Sequence, residues 1–185
     1  MQKIYTSLGL MSGTSGDGVD ASIINSNGID QFEVIKDKFF EYDSHIYKNF
    51  HSLKDKIFYL NDLKKLSKDL IDLERKITLF NAKIIKDMNN SQKTIVGFHG
   101  QTIYHNSGEK ISKQLGDGRL LHQLTQKRII FNFRKNDLRN GGEGAPLASL
   151  FHQLISTQKK IKLPVCFLNI GGISNITIIK KPIGS

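Results

Sequence analysis

The chain has 185 residues, of which 38% are hydrophobic and 24% are charged, so there are enough apolar side chains for a core and wholesale disorder is excluded. The formal net charge of +10 invites a nucleic-acid or acidic-substrate interpretation. The single cysteine, Cys166, excludes an internal disulfide framework. Because no apolar run approaches the ~18 residues of a membrane helix and no signal core is present, we expect a cytoplasmic protein without a membrane partner.

The first third of the chain predicts three strands followed by a helix. Strands are expected at residues 3–11, 19–24 and 32–42, and turns rich in glycine and serine separate them. This succession is typical of an antiparallel meander that opens a mixed sheet. A helix is then expected to begin near Ser44, which is a suitable N-cap residue.

A longer helix is predicted over residues 62–88, because apolar residues recur there three or four positions apart and form one stripe. The stripe consists of Leu63, Leu66, Leu70, Leu73, Ile77, Phe80 and Ile84. Lysines lie off the stripe, which is typical of a solvated helix face.

The second half of the chain alternates short strands with glycine-containing turns. Strands are predicted at residues 94–98, 101–104 and 128–133, with a short helix at 120–125. A polar loop is predicted at residues 134–144 and a helix from Pro146 to about Ser156. The chain then forms a hairpin of strands 165–170 and 175–180, in which Cys166 is expected to be a buried, inert thiol.

The segment at residues 12–20 is the strongest candidate for chemistry. Glycines in this segment leave the backbone accessible to a phosphate, and its serine and threonine hydroxyls add donors. Asp17 and Asp20 could hold Mg²⁺ directly or through water. A plain hairpin turn is the alternative. The hairpin turn at Gly171 and Gly172 has a similar pattern, so two facing turns could hold one polyphosphate.

Two further segments carry polar groups next to predicted strands. Gln101 and Thr102 follow a His-Gly turn and offer donors and acceptors for sugar hydroxyls, although a locally satisfied turn is equally compatible with the pattern. Asp137 lies between a strand and a glycine loop, where ligands often bind. Arg134 would keep its carboxylate ionised and able to accept a proton. The alternative is a turn-forming aspartate beside a surface arginine.

Segments in this order resemble the motifs of the anhydro-N-acetylmuramic acid kinases. They read GLMSGTSGDGVD at 9–20, GFHGQT at 97–102, QLGD at 114–117, FRKNDLRNGGEGAPL at 133–147 and LNIGGISN at 168–175. The resemblance spans nearly the whole sequence and is specific.

The resemblance implies an α/β fold of the actin-like ATPase class, shared with sugar kinases and Hsp70. In this fold a mixed sheet is flanked by helices in each of two lobes. Residues 1–160 would form the N-terminal lobe and residues 161–185 the first hairpin of a second lobe that is largely absent from this sequence. The implied enzyme uses ATP and Mg²⁺ to phosphorylate a small sugar in cell-wall recycling. A homodimer, or a separate C-terminal lobe, is the implied partner.

The resemblance also implies roles for particular residues. Asp137 would be the general base, and Gln101, Thr102 and Arg134 would line the sugar cleft. The residues that would hold the ATP phosphates are Gly13, Thr14, Ser15, Gly16, Asp17, Gly18, Val19, Asp20, Gly171 and Gly172.

Gly16 departs from the family pattern, which usually has leucine at that position. We expect this change to loosen the turn and to remove an apolar anchor.

An inactive lobe of the same kinase is the alternative function. A nucleic-acid-binding module is not expected, because the lysines are spread over the sequence without a platform of stacking aromatics.

Overall fold

The computed structural model describes residues 3–88, 93–171 and 173–181. In chain order, the elements of these residues are β1 (Tyr5–Met11), β2 (Gly18–Ser26), β3 (Phe32–Glu41), α1 (Ser44–Lys54), α2 (Leu60–Lys65), α3 (Ser67–Met88), β4 (Ile95–Phe98), β5 (Gln101–Asn106), β6 (Ile111–Leu115), α4 (Gly118–Thr125), β7 (Arg128–Phe131), α5 (Phe133–Arg139), α6 (Ser149–Gln158), β8 (Val165–Asn169) and β9 (Asn175–Ile179).

A mixed sheet of five strands in the order β3-β2-β1-β4-β7 forms the centre of the fold. The first three strands are an antiparallel meander, as the sequence predicts, and β4 and β7 then run parallel to β1. The parallel connections contain α1 to α3 and then β5, β6 and α4. The sequence predicts the five strands of this sheet and also β5. It does not predict β6, which is a short strand of mostly polar residues.

The core lies between one face of this sheet and the helices. Alternate residues of the strands, such as Leu8 and Val19, are buried because successive strand side chains point to opposite faces. α3 contributes the predicted apolar stripe from Leu70 onwards and packs against α1, α4 and β2. The helix is not continuous over 62–88, because Leu66 leaves helical geometry and separates α2 from α3. Helical hydrogen bonds from Leu66 N to Asp62 O and from Leu70 N to Leu66 O continue across this point. The spacing of the apolar stripe is therefore the same on both sides, and the sequence does not show the break.

The ends of two helices differ from the prediction. The N-cap of α1 is Asp43, whose carboxylate accepts from the N–H groups of His45 and Ile46, and not Ser44. α6 begins at Ser149 and leaves Pro146 in the preceding loop. In addition, part of the loop predicted at 134–144 is the helix α5. Its single buried residue, Leu138, makes no apolar stripe that the sequence could show.

A separate two-stranded sheet, β8–β9, packs on α6. The ring of His152 in α6 stacks on Phe167 with 4.7 Å between centroids, and its Nδ1 lies 2.9 Å from the hydroxyl of Thr177. The opposite face of the hairpin is exposed and carries Cys166, Leu168 and two isoleucines of β9. The prediction that Cys166 is buried is therefore wrong, because no element of the described residues covers that face of the hairpin.

α6 also contacts the edge strand of the main sheet. The Phe32 N–H donates to Gln158 Oε1 at 3.1 Å, and Gln158 Nε2 donates to the Phe32 carbonyl at 2.8 Å. The rings of Phe32 and Phe151 lie 5.0 Å apart.

None of the helices in the described residues combines the length and the apolar character needed to cross a membrane.

Candidate functional site

Several of the predicted segments meet at one edge of the main sheet. Because β1, β4 and β7 are parallel, the residues that follow them lie at the same edge. The glycine-rich turn of residues 12–17 follows β1, and His99 follows β4. A hydrogen bond of 3.1 Å from His99 N to Leu10 O joins the connection after β4 to β1, next to the start of the turn. In open α/β sheets this edge is where ligands usually bind.

The backbone carbonyls of this turn are held by donors from other parts of the chain. Gln101 Nε2 donates to Gly13 O at 2.7 Å, and Lys54 Nζ donates to Thr14 O at 2.8 Å. These donors come from the start of β5 and the end of α1. These bonds therefore fix the turn against both elements.

Tyr42 holds the two ends of the same turn. Its backbone N–H donates to Asp17 O at 2.8 Å, and its hydroxyl lies 3.1 Å from Ser12 Oγ. The ring packs against Phe80, with 5.1 Å between centroids. Burial raises the pKa of Tyr42 to about 12, so the phenol stays neutral at any physiological pH.

The backbone N–H groups of the turn are mostly unoccupied. Gly16 N donates to Gly13 O at 3.3 Å, but the N–H groups of Gly13, Thr14, Ser15 and Asp17 have no acceptor among the described residues. A turn whose carbonyls face protein donors and whose N–H groups are unpaired can bind an anion. This observation fits the predicted phosphate site.

Gly16 packs against a side chain of α1. Its φ of +66° lies in the left-handed region, and a Cβ built on it would overlap Cε1 and Cδ1 of Phe50. The Phe50 ring is fully buried. Phe50 therefore provides an apolar contact at Gly16 and occupies the space that a side chain there would fill.

Gly18 and Val19 belong to β2. The side chain of Val19 is buried in the core, and a Cβ on Gly18 would overlap the carbonyl oxygen of Phe40 in the neighbouring strand. These two residues therefore support the turn from the sheet.

The two carboxylates predicted to hold Mg²⁺ are both exposed. Asp17 Oδ1 accepts from Ser15 Oγ at 2.7 Å, and Asp20 is paired with Met11 and Phe39 in the sheet. In the part of the chain that the structure describes, no group of three or more His, Cys, Asp or Glu could hold a metal ion. A cation here would need ligands from elsewhere, such as water or a phosphate.

Gln101 and Thr102 occupy different environments. Gln101 is fully buried, and its Oε1 has no partner among the described residues while its Nε2 holds the turn. Thr102 is half-buried, and its hydroxyl accepts from Gln114 Nε2 at 3.2 Å. Gln101 thus joins the second motif to the first.

Arg134 forms a bridge between His99 and the glycine loop. Its Nε donates to His99 Nε2 at 2.8 Å, and its Nη1 donates to Gly144 O at 2.7 Å. His99 Nδ1 must donate to the Gly100 carbonyl at 2.6 Å, so the ring is the neutral Nδ1–H tautomer. Burial, assisted by the positive charge of Arg134, lowers the pKa of His99 from 6.5 to about 4.

Asp137 contacts the same glycine loop. Its Oδ2 accepts from Gly144 N at 2.8 Å, and its carboxylate fills the space where a Cβ on Gly142 would lie. No ion pair joins Asp137 to Arg134 within the described residues. Instead the Gly144 residue separates them, since its carbonyl contacts the arginine and its N–H contacts the aspartate.

The second predicted turn is described only in part. Gly171 is exposed and lies between β8 and β9, and Gly172 is outside the described residues. The facing of the two turns stays a prediction.

Sequence reasoning missed three residues that shape the turn, namely Tyr42, Phe50 and Lys54. Phe50 and Lys54 are one helical turn apart on α1, so a helical-wheel plot would place them on one face. Nothing in the sequence indicates that this face contacts the turn.

The family model for anhydro-N-acetylmuramic acid kinase matches residues 5–183. The chain belongs to this kinase family. An anhydro-N-acetylmuramic acid kinase of Pelagibacter ubique is 59% identical over 97% of the chain. Kinases with the same description from Gluconobacter oxydans and Agrobacterium fabrum are 35% and 33% identical over 93% and 97% of the chain, respectively.

The matches to these kinases cover only part of each relative. They cover 48%, 47% and 50% of the length of the three relatives. The chain thus spans about half the length of the curated relatives it matches.

Gly16→Ala should destabilise the protein more than Gly28→Ala. Both glycines have a positive φ, at +66° and +76°, but a Cβ on Gly28 meets nothing within 4 Å. We expect Gly16→Ala to cost about 1–3 kcal/mol more in the free energy of unfolding, measured with urea, because it overpacks the site against Phe50. Adding Phe50→Leu should recover part of that loss. If the two substitutions are additive, Phe50 does not occupy the space at Gly16.

Stability should fall as the pH is lowered from about 6.5 to 4. His99 has a folded-state pKa of about 4 against 6.5, so between these values the unfolded chain binds more protons and folding weakens. The contribution is complete above pH 6.5 and amounts to at most roughly 3 kcal/mol. Urea unfolding at a series of pH values would measure it. A His99→Gln variant should lose this part of the slope; an unchanged slope would contradict the neutral tautomer.

Proposed function

We propose that the chain supplies the phosphate-binding turn and part of the sugar site of an ATP-dependent kinase. The enzyme would convert 1,6-anhydro-N-acetylmuramic acid and water to N-acetylmuramate 6-phosphate in peptidoglycan recycling. The turn of residues 12–17 carries this proposal, because the N–H groups of Gly13, Thr14, Ser15 and Asp17 have no acceptor within the described residues. Membership of the kinase family indicates the reaction.

The proposed architecture is the actin-like ATPase fold with two lobes. Residues 1–160 would be the first lobe, built on the five-stranded sheet and its helices. Residues 161–185 would begin the second lobe, and the separation of the β8–β9 sheet from the main sheet supports this division. The relatives are about twice as long as the matched region. The rest of the second lobe would correspond to the part of the relatives that this chain does not match.

In the proposed reaction, water attacks C1 of the anhydro sugar and the bond from C1 to the bridging oxygen breaks. That oxygen, O6, takes the γ-phosphoryl group of ATP, and ADP leaves. Asp137 would accept the proton of the attacking water, since its Oδ1 has no hydrogen-bond partner in the described part of the chain. Thr102 and Arg134 would line the sugar side of the cleft, while Gln101 would act through the Gly13 carbonyl that it holds.

The phosphates would lie on the N–H groups of the turn. Asp17 and Asp20 would hold Mg²⁺ through water, as is usual for an ion that keeps several waters and binds few carboxylates. Their exposure beside the turn fits such an arrangement. When bound, Mg²⁺ would neutralise charge on the phosphates.

The proposed enzyme would work in the cytoplasm, and its partner would be either a second copy in a homodimer or a separate C-terminal lobe. The competing proposal is a lobe of the same kinase that has no activity alone. Both proposals share the phosphate-binding turn.

Reconstitution should test both proposals. The chain would be assayed for ADP release with 1,6-anhydro-N-acetylmuramic acid, alone and mixed with the half of the Pelagibacter ubique relative that it does not match. We expect turnover in the mixture and negligible turnover in either part alone. Turnover by the chain alone would contradict the need for a second lobe. A mixture that neither binds ATP nor releases ADP would contradict the kinase function.

Asp137→Asn should abolish turnover in the reconstituted mixture while leaving the fold intact. The amide oxygen can still accept from Gly144 N, so the loop keeps its hydrogen bond, but an amide cannot take a proton from water. We expect a fall in kcat of about 10²-fold or more with little change in KM. Wild-type activity in this variant would instead assign Asp137 to holding the glycine loop.

A further inference from the structure

The C-terminal end of α1 lies against the glycine-rich turn. Lys54, the last residue of the helix, donates from Nζ to Thr14 O at 2.8 Å, and its ammonium lies 5.6 Å from the centroid of the Phe50 ring. Phe50 in turn fills the space beside Gly16. One face of α1 therefore contacts the turn at two neighbouring points.

Within the described ranges, no acidic side chain forms an ion pair with Lys54. Its ammonium instead donates a hydrogen bond to the turn. The turn itself contains Asp17 but no cation. The end of α1 adds partial negative charge from its last carbonyls, which would disfavour a phosphate. The positive charge of Lys54 offsets both the charge of Asp17 and the partial charge of this helix end.

The hydrogen bond to Thr14 O also fixes the direction of the next peptide N–H. In a trans peptide the carbonyl and the N–H point in opposite directions. With its carbonyl held by Lys54, the peptide between Thr14 and Ser15 must direct the Ser15 N–H away from α1. An ammonium on the carbonyl also polarises the peptide, which strengthens the N–H as a donor.

We propose that Lys54 is a positioning residue of the phosphate site, which aims and polarises the Ser15 N–H towards a nucleotide phosphate. This inference rests on the proposed function. Lys54 acts through the Thr14 peptide and does not itself need to touch the phosphate. Lys54 lies in α1 and belongs to none of the sequence motifs described above.

The test compares three substitutions of Lys54 with a control on the same helix. Lys54→Met removes both the donor and the charge, Lys54→Gln keeps a neutral donor, and Lys54→Arg keeps both. Lys48→Met is the control, since Lys48 is exposed on α1 and makes no contact that the structure shows within its described residues. Circular dichroism would confirm that each variant folds.

The first measurement is ATP binding by calorimetry in the reconstituted mixture at two salt concentrations. We expect Lys54→Met to weaken binding by about 10-fold and to reduce its salt dependence, because a cation near the phosphates is lost. Lys54→Gln should fall in between, and Lys54→Arg and Lys48→Met should match the wild type. Wild-type affinity in Lys54→Met would overturn the proposal. A wild-type mixture that does not bind ATP would overturn the proposed function.

The second measurement needs no nucleotide. The backbone amide resonance of Ser15, followed by ¹H–¹⁵N NMR in the chain, should shift in Lys54→Met and remain close to the wild-type position in Lys54→Arg. An unchanged Ser15 resonance in Lys54→Met would overturn the positioning role, even if ATP binds to the wild type.

Discussion

The conformation of the glycine-rich turn depends on hydrogen bonds to its carbonyl oxygens. Their donors are Tyr42 at the end of the meander, Lys54 at the end of α1 and Gln101 at the start of β5. Glycine permits many backbone conformations, so the turn sequence alone does not select one. The surrounding fold selects it, and thereby decides which N–H groups face outwards. The site is in this sense a property of the assembled lobe.

Much of this fold could be predicted because the responsible patterns are local. The meander follows from short apolar runs between glycine-rich turns, and the stripe of α3 follows from helical spacing. α5 could not be predicted in the same way, since most of its residues are polar and Leu138 alone is buried. The exposure of Cys166 could not be predicted either, because an apolar strand resembles a buried one until its neighbours are known.

The candidate site was predictable in its location but not in its contacts. The glycine pattern identifies the turn, and the resemblance orders the motifs along the chain. The contact between Gly16 and Phe50 joins residues that are far apart in the sequence, and only the packing of α1 reveals it. Gln101 is a polar residue expected at a surface, yet it is fully buried under the turn. Such non-local contacts leave no signature in one sequence.

Gln158 and Phe32 illustrate how a side chain can replace a strand. The amide of Gln158 offers one acceptor and one donor to the backbone of Phe32, as a neighbouring strand would. Unpaired edge strands invite pairing with another chain. At this point on β3 both backbone groups are already occupied, so α6 protects this end of the sheet from self-association.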